Sequence, residues 1–451
     1  MNKSLKYFQE NQKWIMPLLA ILILAIFLAV RSGQPLLSGS ETYHHLNSAK
    51  EITWENFYYL PLNFVMNFLP LNFLMVIPLL LAFICIILFY RIAEKSGFEK
   101  DLTAVFLLLL LFTPAFINTF TTISAYSYFA FLVLLSLNLL QSKKWKMLAV
   151  FPIILGTFID LFSILIFISI MLIYLFINKK NKDDPQQNKD YFFLIILGLM
   201  FFINWLIFKI PFVSGPFHQQ SVLPDLISDL GGLSGLSLFV IVFSLIGLGI
   251  AWKKKYYSLA YLFLPFILFG YILLSTQLIF YLTLILILFS ALGFVKVFSK
   301  KWKLKRIKYF TILLFILGLL FSTLSYLDRF SELSPTEDAH DALLALEKAT
   351  VSGEVIFSDK INAEYITYFA ERSPAVSYKQ GESILQNIYN ANYIQDLFPI
   401  LEENEISIIY LTPEMKEDLP SEYGLNLLLK NEKFKLVYSQ EDYEVWVYNL
   451  G

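Results

Sequence analysis

Eleven apolar stretches set what this chain can fold into: residues 14–30, 71–90, 102–117, 125–140, 147–159, 161–177, 191–208, 236–252, 256–274, 278–295 and 309–327. A helix needs about 20 predominantly apolar residues to cross the hydrocarbon of a bilayer. Hydrophobic residues make up 57% of the 451, against about 45–50% in soluble domains, and the excess lies in these stretches. The pattern predicts a polytopic α-helical membrane protein of about 11 spans. The fifth and sixth stretches form one run broken near Gly156 and Asp160, where a single long tilted helix is the alternative. Arg31 follows the first stretch and no small-x-small cleavage site is visible, so it reads as a span and not a signal peptide.

Charge orients the spans. With the N-terminus in the cytoplasm, the inside segments carry 23 Lys and Arg, and the outside segments carry only Arg31, Lys50 and Lys209. Cytoplasmic loops are the ones enriched in these residues. An odd number of spans preserves that bias and puts the C-terminal part outside, as expected of an integral plasma membrane protein. The net charge of −1 hides a split: residues 1–327 sum to +13 and residues 328–451 to −14. The chain therefore divides into a transmembrane domain, 1–327, and an acidic external domain, 328–451. Neither half reads as a nucleic-acid binder.

The external part changes period. Residues 336–350 have helical spacing, with Ala342, Leu343, Leu346 and Ala349 on one side. Val355-Ile356-Phe357 and 406–411 read as buried strands, and 434–438 and 443–448 as alternating strands around a turn at 439–442. Residues 362–372 read as a helix, and 383–403 as a longer one bent before Pro399. Alternating strands and helices predict a C-terminal extracytoplasmic α/β domain.

Few residues carry chemistry. Cys85 is the single cysteine, so there is no disulfide framework and no Cys/His metal site. Six acids of the membrane part face outward or lie inside a run: Glu41, Glu51, Glu55, Asp160, Asp225 and Asp229. Gly39-Ser40-Glu41-Thr42-Tyr43-His44-His45-Leu46, just after the first span, holds an acid and two of the four histidines. At helical spacing Glu41 and His45 share a face, a pair able to handle a proton or hold a cation. The alternative is an amphipathic helix solvated on the membrane surface. Further along the same loop, Trp54, Phe57, Tyr58 and Tyr59 form an aromatic cluster suited to the headgroup layer. Asp160 either lines a polar cavity open to the outside or marks a helix break, since an intramembrane carboxylate is costly unless paired or hydrated. Asp225 and Asp229 are i and i+4 on an expected helix over 223–230. His218 and His340 read as surface residues.

The stretch from Gly39 to His45 resembles the first external loop of the GT-C membrane glycosyltransferases, most closely the catalytic subunits of oligosaccharyltransferases, where an acid follows the first span in a pattern like G-x-D-x-x-Y-H-x-R. Gly39, Glu41 and His45 match; Tyr43 falls one place early, His44 takes the tyrosine's position, and Asn47 stands where arginine is usual. Ile227-Ser228-Asp229-Leu230, followed by Gly231-Gly232, resembles a shortened form of the family's mobile fifth external loop. Phe357-Ser358-Asp359 and the segment Tyr365-Ile366-Thr367-Tyr368-Phe369-Ala370-Glu371-Arg372 are similar to the surroundings of the WWDYG motif, but Lys360-Ile361-Asn362-Ala363 stands in place of that motif. The resemblance therefore does not extend to asparagine-linked transfer.

The resemblance implies a GT-C-like fold and transfer of a sugar or oligosaccharide from a polyprenyl-phosphate carrier to an acceptor protein or glycan on the outer face. Glu41 would be the base and His45 would orient it or touch the phosphate. Tyr43, His44, Asp160, Asp225 and Asp229 would bind substrate. Relatives place metal-binding acids in the second external loop, where this chain has Thr119, Thr121, Thr122 and Ser124. No cofactor is firmly implied: a tightly held divalent cation is not expected, and Glu41 would be its carboxylate if one bound. The alternative is a non-catalytic GT-C-like scaffold that binds lipid or a partner protein. A transporter is a third reading, unsupported by paired broken helices or a pseudo-repeat.

Overall fold

A computed structural model describes residues 3–30, 37, 39–50, 52, 59–142, 144–178, 187–210, 226–232, 235–251, 263–273, 278–332, 335–351, 353–377, 381–419 and 425–448. The chain forms two compact units. The first comprises Met1–Arg31 and Ile52–Ser331, the second Ser32–Glu51 and Glu332–Gly451. The expected boundary at 327/328 thus falls at 331/332, because the last membrane helix runs on to Glu332. The first loop, expected to go with the membrane part, groups with the C-terminal one.

The first unit is helical. Its elements in chain order are α1 (Lys3–Val30) and then, beyond the loop helix α2 (Ser40–Lys50), α3 (Leu60–Met66), α4 (Val76–Lys95), α5 (Lys100–Leu111), α6 (Pro114–Thr121), α7 (Ala125–Leu140), α8 (Val150–Thr157), α9 (Leu161–Asn178), α10 (Gln187–Leu206), α11 (Leu238–Ala251), α12 (Leu264–Leu273), α13 (Ile279–Ser299) and α14 (Lys305–Glu332). Every apolar stretch read from the sequence carries a helix. Among the described residues four helical segments are long and apolar enough to cross a membrane: Asn11–Ala29, Phe73–Lys95, Ile279–Ser299 and Lys305–Phe330. The pair α5 and α6 makes a fifth if taken as one span, although it is bent by 62°. The remaining apolar helices among the described residues are shorter.

Two breaks have local causes. Thr113 precedes a proline, which disfavours helical backbone at that residue. Thr113 is extended (ψ 128) and Pro114 opens α6, so the expected straight helix over 102–117 bends. Between α8 and α9 the single-helix alternative does not hold: the chain turns at Phe158–Asp160 and restarts with Asp160 as a cap. Helices α11 and α13 approach most closely at Gly247 and Gly293. A Cβ on Gly247 would lie 1.7 Å from the Phe289 carbonyl oxygen, and one on Gly293 2.2 Å from that of Phe243. The two glycines let the backbones touch, a common device of membrane helix pairs.

The second unit holds a five-stranded mixed sheet of β1 (Val355–Phe357), β2 (Ser373–Pro374), β3 (Ile406–Leu411), β4 (Phe434–Gln440) and β5 (Tyr443–Tyr448), ordered β2-β1-β3-β5-β4. β1 runs parallel to β2 and β3, and the β4–β5 hairpin adds antiparallel to β3. All six residues of β3 are buried, as its apolar run, interrupted only by Ser407, demands of a central strand. Glu441 (φ 47) and Asp442 (φ 68) form the hairpin turn, both left-handed as a type I′ turn requires.

Helix α15 (Glu337–Ala349) starts at Thr336, whose hydroxyl accepts the Ala339 N–H. The expected helix over 362–372 is a short one, α16 (Ala363–Tyr365), that widens into a π-turn over Ile366–Ala370 and stops at Glu371 with φ 54. The expected long helix over 383–403 is two, α17 (Glu382–Tyr389) and α18 (Ile394–Glu403), and the break lies at 390–393 with Pro399 inside the second.

Candidate functional site

Helix α2 carries the site read from the sequence. Gly39 enters it with φ 76, and its carbonyl accepts the Thr42 N–H at 3.1 Å. Glu41 lies in the first turn, where the helix dipole favours an acid, and Lys50 in the last, where it favours a base. Glu41 and His45 share this helix at i and i+4, as read. The solvated-helix alternative fails: Tyr43, His45, Leu46 and Ala49 are fully buried and Glu41 half-buried.

The burial of Tyr43 explains the docking. Its ring packs on Tyr365, Tyr368 and Phe369 at centroid distances of 5.0, 5.1 and 5.2 Å, and its hydroxyl accepts the Leu37 N–H at 2.8 Å. His44 faces Glu364, Nδ1 to Oε1 2.9 Å, and Asn47 donates to the other oxygen of the same carboxylate at 3.2 Å. Lys50 lies 4.2 Å above the Tyr368 ring. The two segments that carry the family resemblance, 39–46 and 365–372, therefore pack against each other. Tyr43 and His44, expected to bind substrate, are engaged as the anchors of α2. His340, expected on a solvated face, is half-buried with its ring edge on Phe369.

Burial holds the His45 imidazole well below its usual range, and the neighbouring His44 adds to the effect. His45 is therefore neutral at pH 7. It can orient a carboxylate by hydrogen bonding but brings no positive charge to a phosphate.

In the first unit Asp160 is a helix cap. It is 1% exposed; Oδ1 accepts the Ser163 N–H at 2.6 Å and Oδ2 the Tyr126 hydroxyl at 2.9 Å. Nearby, Asn204 donates to the Thr157 carbonyl at 2.6 Å and closes the end of α8. Of the two readings of Asp160, the helix break is the one these contacts describe. Asp229 also caps: its Oδ2 accepts the Leu238 N–H at 2.7 Å, at the start of α11, and the Ser237 hydroxyl at 3.3 Å.

The expected helix over 223–230 is, among the described residues, a single 3-10 turn at Ser228–Leu230 ended by Gly231. That turn is tied down. Ser228 N–H bonds the Leu236 carbonyl, Leu236 N–H the Leu226 carbonyl, Arg329 the Ser228 carbonyl, and the Ser228 and Ser322 hydroxyls bond each other. A freely moving loop here is not what these bonds describe. Asp225, His218, Glu51, Glu55, Trp54, Phe57 and Tyr58 lie outside the described residues.

Hard cations take several oxygen ligands, usually with more than one carboxylate or a phosphate. Among the described residues no three His, Cys, Asp or Glu come together. The hydroxyls of Thr119, Thr121 and Thr122 each bond a carbonyl four residues back in α6, at 2.7–2.8 Å.

Sequence reasoning missed Glu364 and Asn47 as partners. Glu364 sits in no motif, and Asn47 was read only as a missing arginine.

The architecture is a helical membrane protein with a C-terminal mixed sheet, and its fold is GT-C-like. Superposition on solved structures shows this. The oligosaccharyltransferase of Archaeoglobus fulgidus, tethered to an acceptor peptide containing the NVT sequon, matches with a TM-score of 0.59 over 98% of this chain and 74% of its own, at 13% identity. The same organism's oligosaccharyltransferase AglB, in complex with an inhibitory peptide and a dolichol-phosphate, matches with a TM-score of 0.58 over 98% and 75%, at 12% identity. The mycobacterial arabinofuranosyltransferase AftD matches at 0.52 over 98% of this chain but 40% of its own, at 12% identity. The sequence matches no protein-family model and no curated protein sequence.

Proposed function

We propose that this chain is a membrane glycosyltransferase that moves a sugar or oligosaccharide from a polyprenyl-phosphate carrier to an acceptor on the outer face. The observation that carries the reading is the likeness of 98% of the chain to an oligosaccharyltransferase structure; the sequence resemblance of the first loop, Gly39 to His45, supports Glu41 as the acid. One of those structures contains a dolichol-phosphate, which supports a lipid-linked donor.

In the proposed reaction an acceptor hydroxyl loses its proton to Glu41 and its oxygen bonds the anomeric carbon. The bond from that carbon to the phosphate oxygen breaks, and the electron pair leaves with the lipid phosphate. Neutral His45 orients the carboxylate. The second unit docks the acceptor protein or glycan. The charge bias supports eleven spans, with the N-terminus inside and the second unit outside. The alternative of a non-catalytic scaffold draws support from the hydroxyls that stand in the second external loop in place of acids.

The test uses purified protein, a panel of polyprenyl-phosphate sugars, and release of lipid phosphate. Glu41→Gln keeps the size and removes the base, and turnover should fall about 10²–10⁴-fold. His45→Gln should lose less, and Glu51→Gln should be nearly silent. Equal behaviour of Glu41→Gln and Glu51→Gln would remove the base from the mechanism.

A further inference from the structure

An isolated helix shorter than about 12–15 residues is marginal in water. The 11 residues of α2 therefore owe their placement to what they touch. Tyr43 supplies buried area, but apolar burial is non-directional and tolerates rotation of the helix. Lys50 adds little: it is 39% exposed and its ion-pair partner Glu371 73% exposed, so water screens both. Glu364 is different. Its carboxylate is mostly out of water, with 15% of the side chain exposed. Oε1 faces His44 Nδ1 at 2.9 Å, Oε2 accepts from Asn47 Nδ2 at 3.2 Å, and the Glu364 backbone carbonyl accepts from the same amide at 3.1 Å. His44 and Asn47 are one helical turn apart, so two fixed points hold both the height and the rotation of α2. A carboxylate shared in this way gives directional, charge-assisted bonds. Glu41 lies one turn before His44 on the same helix.

We propose that Glu364 is a positioning residue: it clamps α2 through His44 and Asn47 and so fixes where the Glu41 carboxylate points. This rests on the glycosyltransferase reading of Glu41. A misplacement of about 1 Å can cost about 10²-fold in rate without touching the chemistry, and that is the effect the clamp prevents.

The test pairs two readouts on the full-length protein. Hydrogen exchange of the α2 amides reports the clamp whether or not the protein turns over. Lipid-phosphate release reports its consequence. Glu364→Ala should speed α2 exchange about tenfold or more, since exchange follows local opening. It should lower kcat about 10–10²-fold with KM for the lipid-linked sugar unchanged. Glu364→Gln, whose amide can bond the same two side chains, should restore most of both. Adding His44→Ala to Glu364→Ala should cost nothing more, because residues in one network are not additive; Asn47→Ala adds a small further loss, since its amide also bonds the backbone carbonyl of residue 364. Unchanged exchange in Glu364→Ala overturns the clamp. Faster exchange with unchanged kcat overturns the positioning role. A wild-type protein that releases no lipid phosphate from any donor overturns the glycosyltransferase reading and the catalytic half of this inference, while exchange still decides the clamp.

Discussion

Asp359 should destabilise the second unit at neutral pH, and replacing it with asparagine should make the protein more stable. The residue follows β1 and is half-buried; Glu414 follows the neighbouring strand β3. Burial raises its pKa from 3.8 to about 6, repulsion from Glu414 adds to this, and hydrogen bonds from Asn362 and Ile361 oppose it without prevailing. The folded state therefore binds the proton more tightly than the unfolded chain. Between about pH 4 and pH 6 the unfolded chain has lost the proton while the folded one keeps it, so stability falls as pH rises through that window.

Above about pH 6 the full cost is present. At 1.36 kcal/mol per pH unit it comes to about 3 kcal/mol. Asp359→Asn keeps the Oδ1 that accepts the Asn362 N–H at 2.8 Å and removes the charge. Hydrogen exchange of the β3 amides in wild type and variant, at several pH values, measures the difference directly. The variant should be more stable by about 2–3 kcal/mol at pH 7.5, and the advantage should vanish near pH 4. A variant that is less stable at pH 7.5, or a difference that does not change with pH, would refute the reasoning.

Three further outcomes test the fold. Gly247→Ala puts a methyl group 1.7 Å from a backbone oxygen. It should cost at least the about 1–3 kcal/mol of ordinary overpacking, seen as a lower melting temperature in detergent, while Gly249→Ala, with nothing within 4 Å, should not. Asp160→Ala removes a cap and an acceptor of the Tyr126 hydroxyl; a loss of about 1–3 kcal/mol is expected, and a silent variant would mean the cap is dispensable. Protease added to intact cells should cut the second unit, because the charge bias puts it outside; cleavage that needs permeabilised cells would reverse the orientation.

Legibility in the sequence followed the range of the interaction. The helices of the first unit were readable because each is a run of apolar residues with polar ends. β3 was readable because a strand buried on both faces is apolar at nearly every position, Ser407 being the exception. The bend before Pro114 was also written locally, in the restriction that proline places on Thr113, and reading the run as one straight helix passed over it. The break at 390–393 was assigned to Pro399 instead, which lies inside the second helix, α18. The docking of α2 was a different matter. His44 and Glu364 are 320 residues apart, and no periodicity connects them. A histidine in a loop looks the same whether it meets a phosphate or a carboxylate from the far end of the chain.

The same limit shaped the choice of acids. A carboxylate inside or beside an apolar run is rare because it is costly, and rarity made Asp160 and Asp229 stand out. Chemistry is one remedy for that cost; an exposed helix N-terminus is another. The free N–H groups at a helix start need acceptors, and in membrane a short acidic side chain supplies them without water. Both residues took the second remedy, at the starts of α9 and α11. Of the outward or intramembrane acids whose placement is described, Glu41 is the one in a helix whose N-terminus is entered through a glycine turn and whose body is anchored by other residues. Tyr43, His44 and Asn47 anchor that helix within the second unit. The carboxylate proposed as the base, on a helix fixed this firmly, is where an enzyme and a scaffold of the same architecture must differ. Substitution at Glu41 therefore decides between them, and substitution at Asp160 or Asp229, which cap helices, tests stability first.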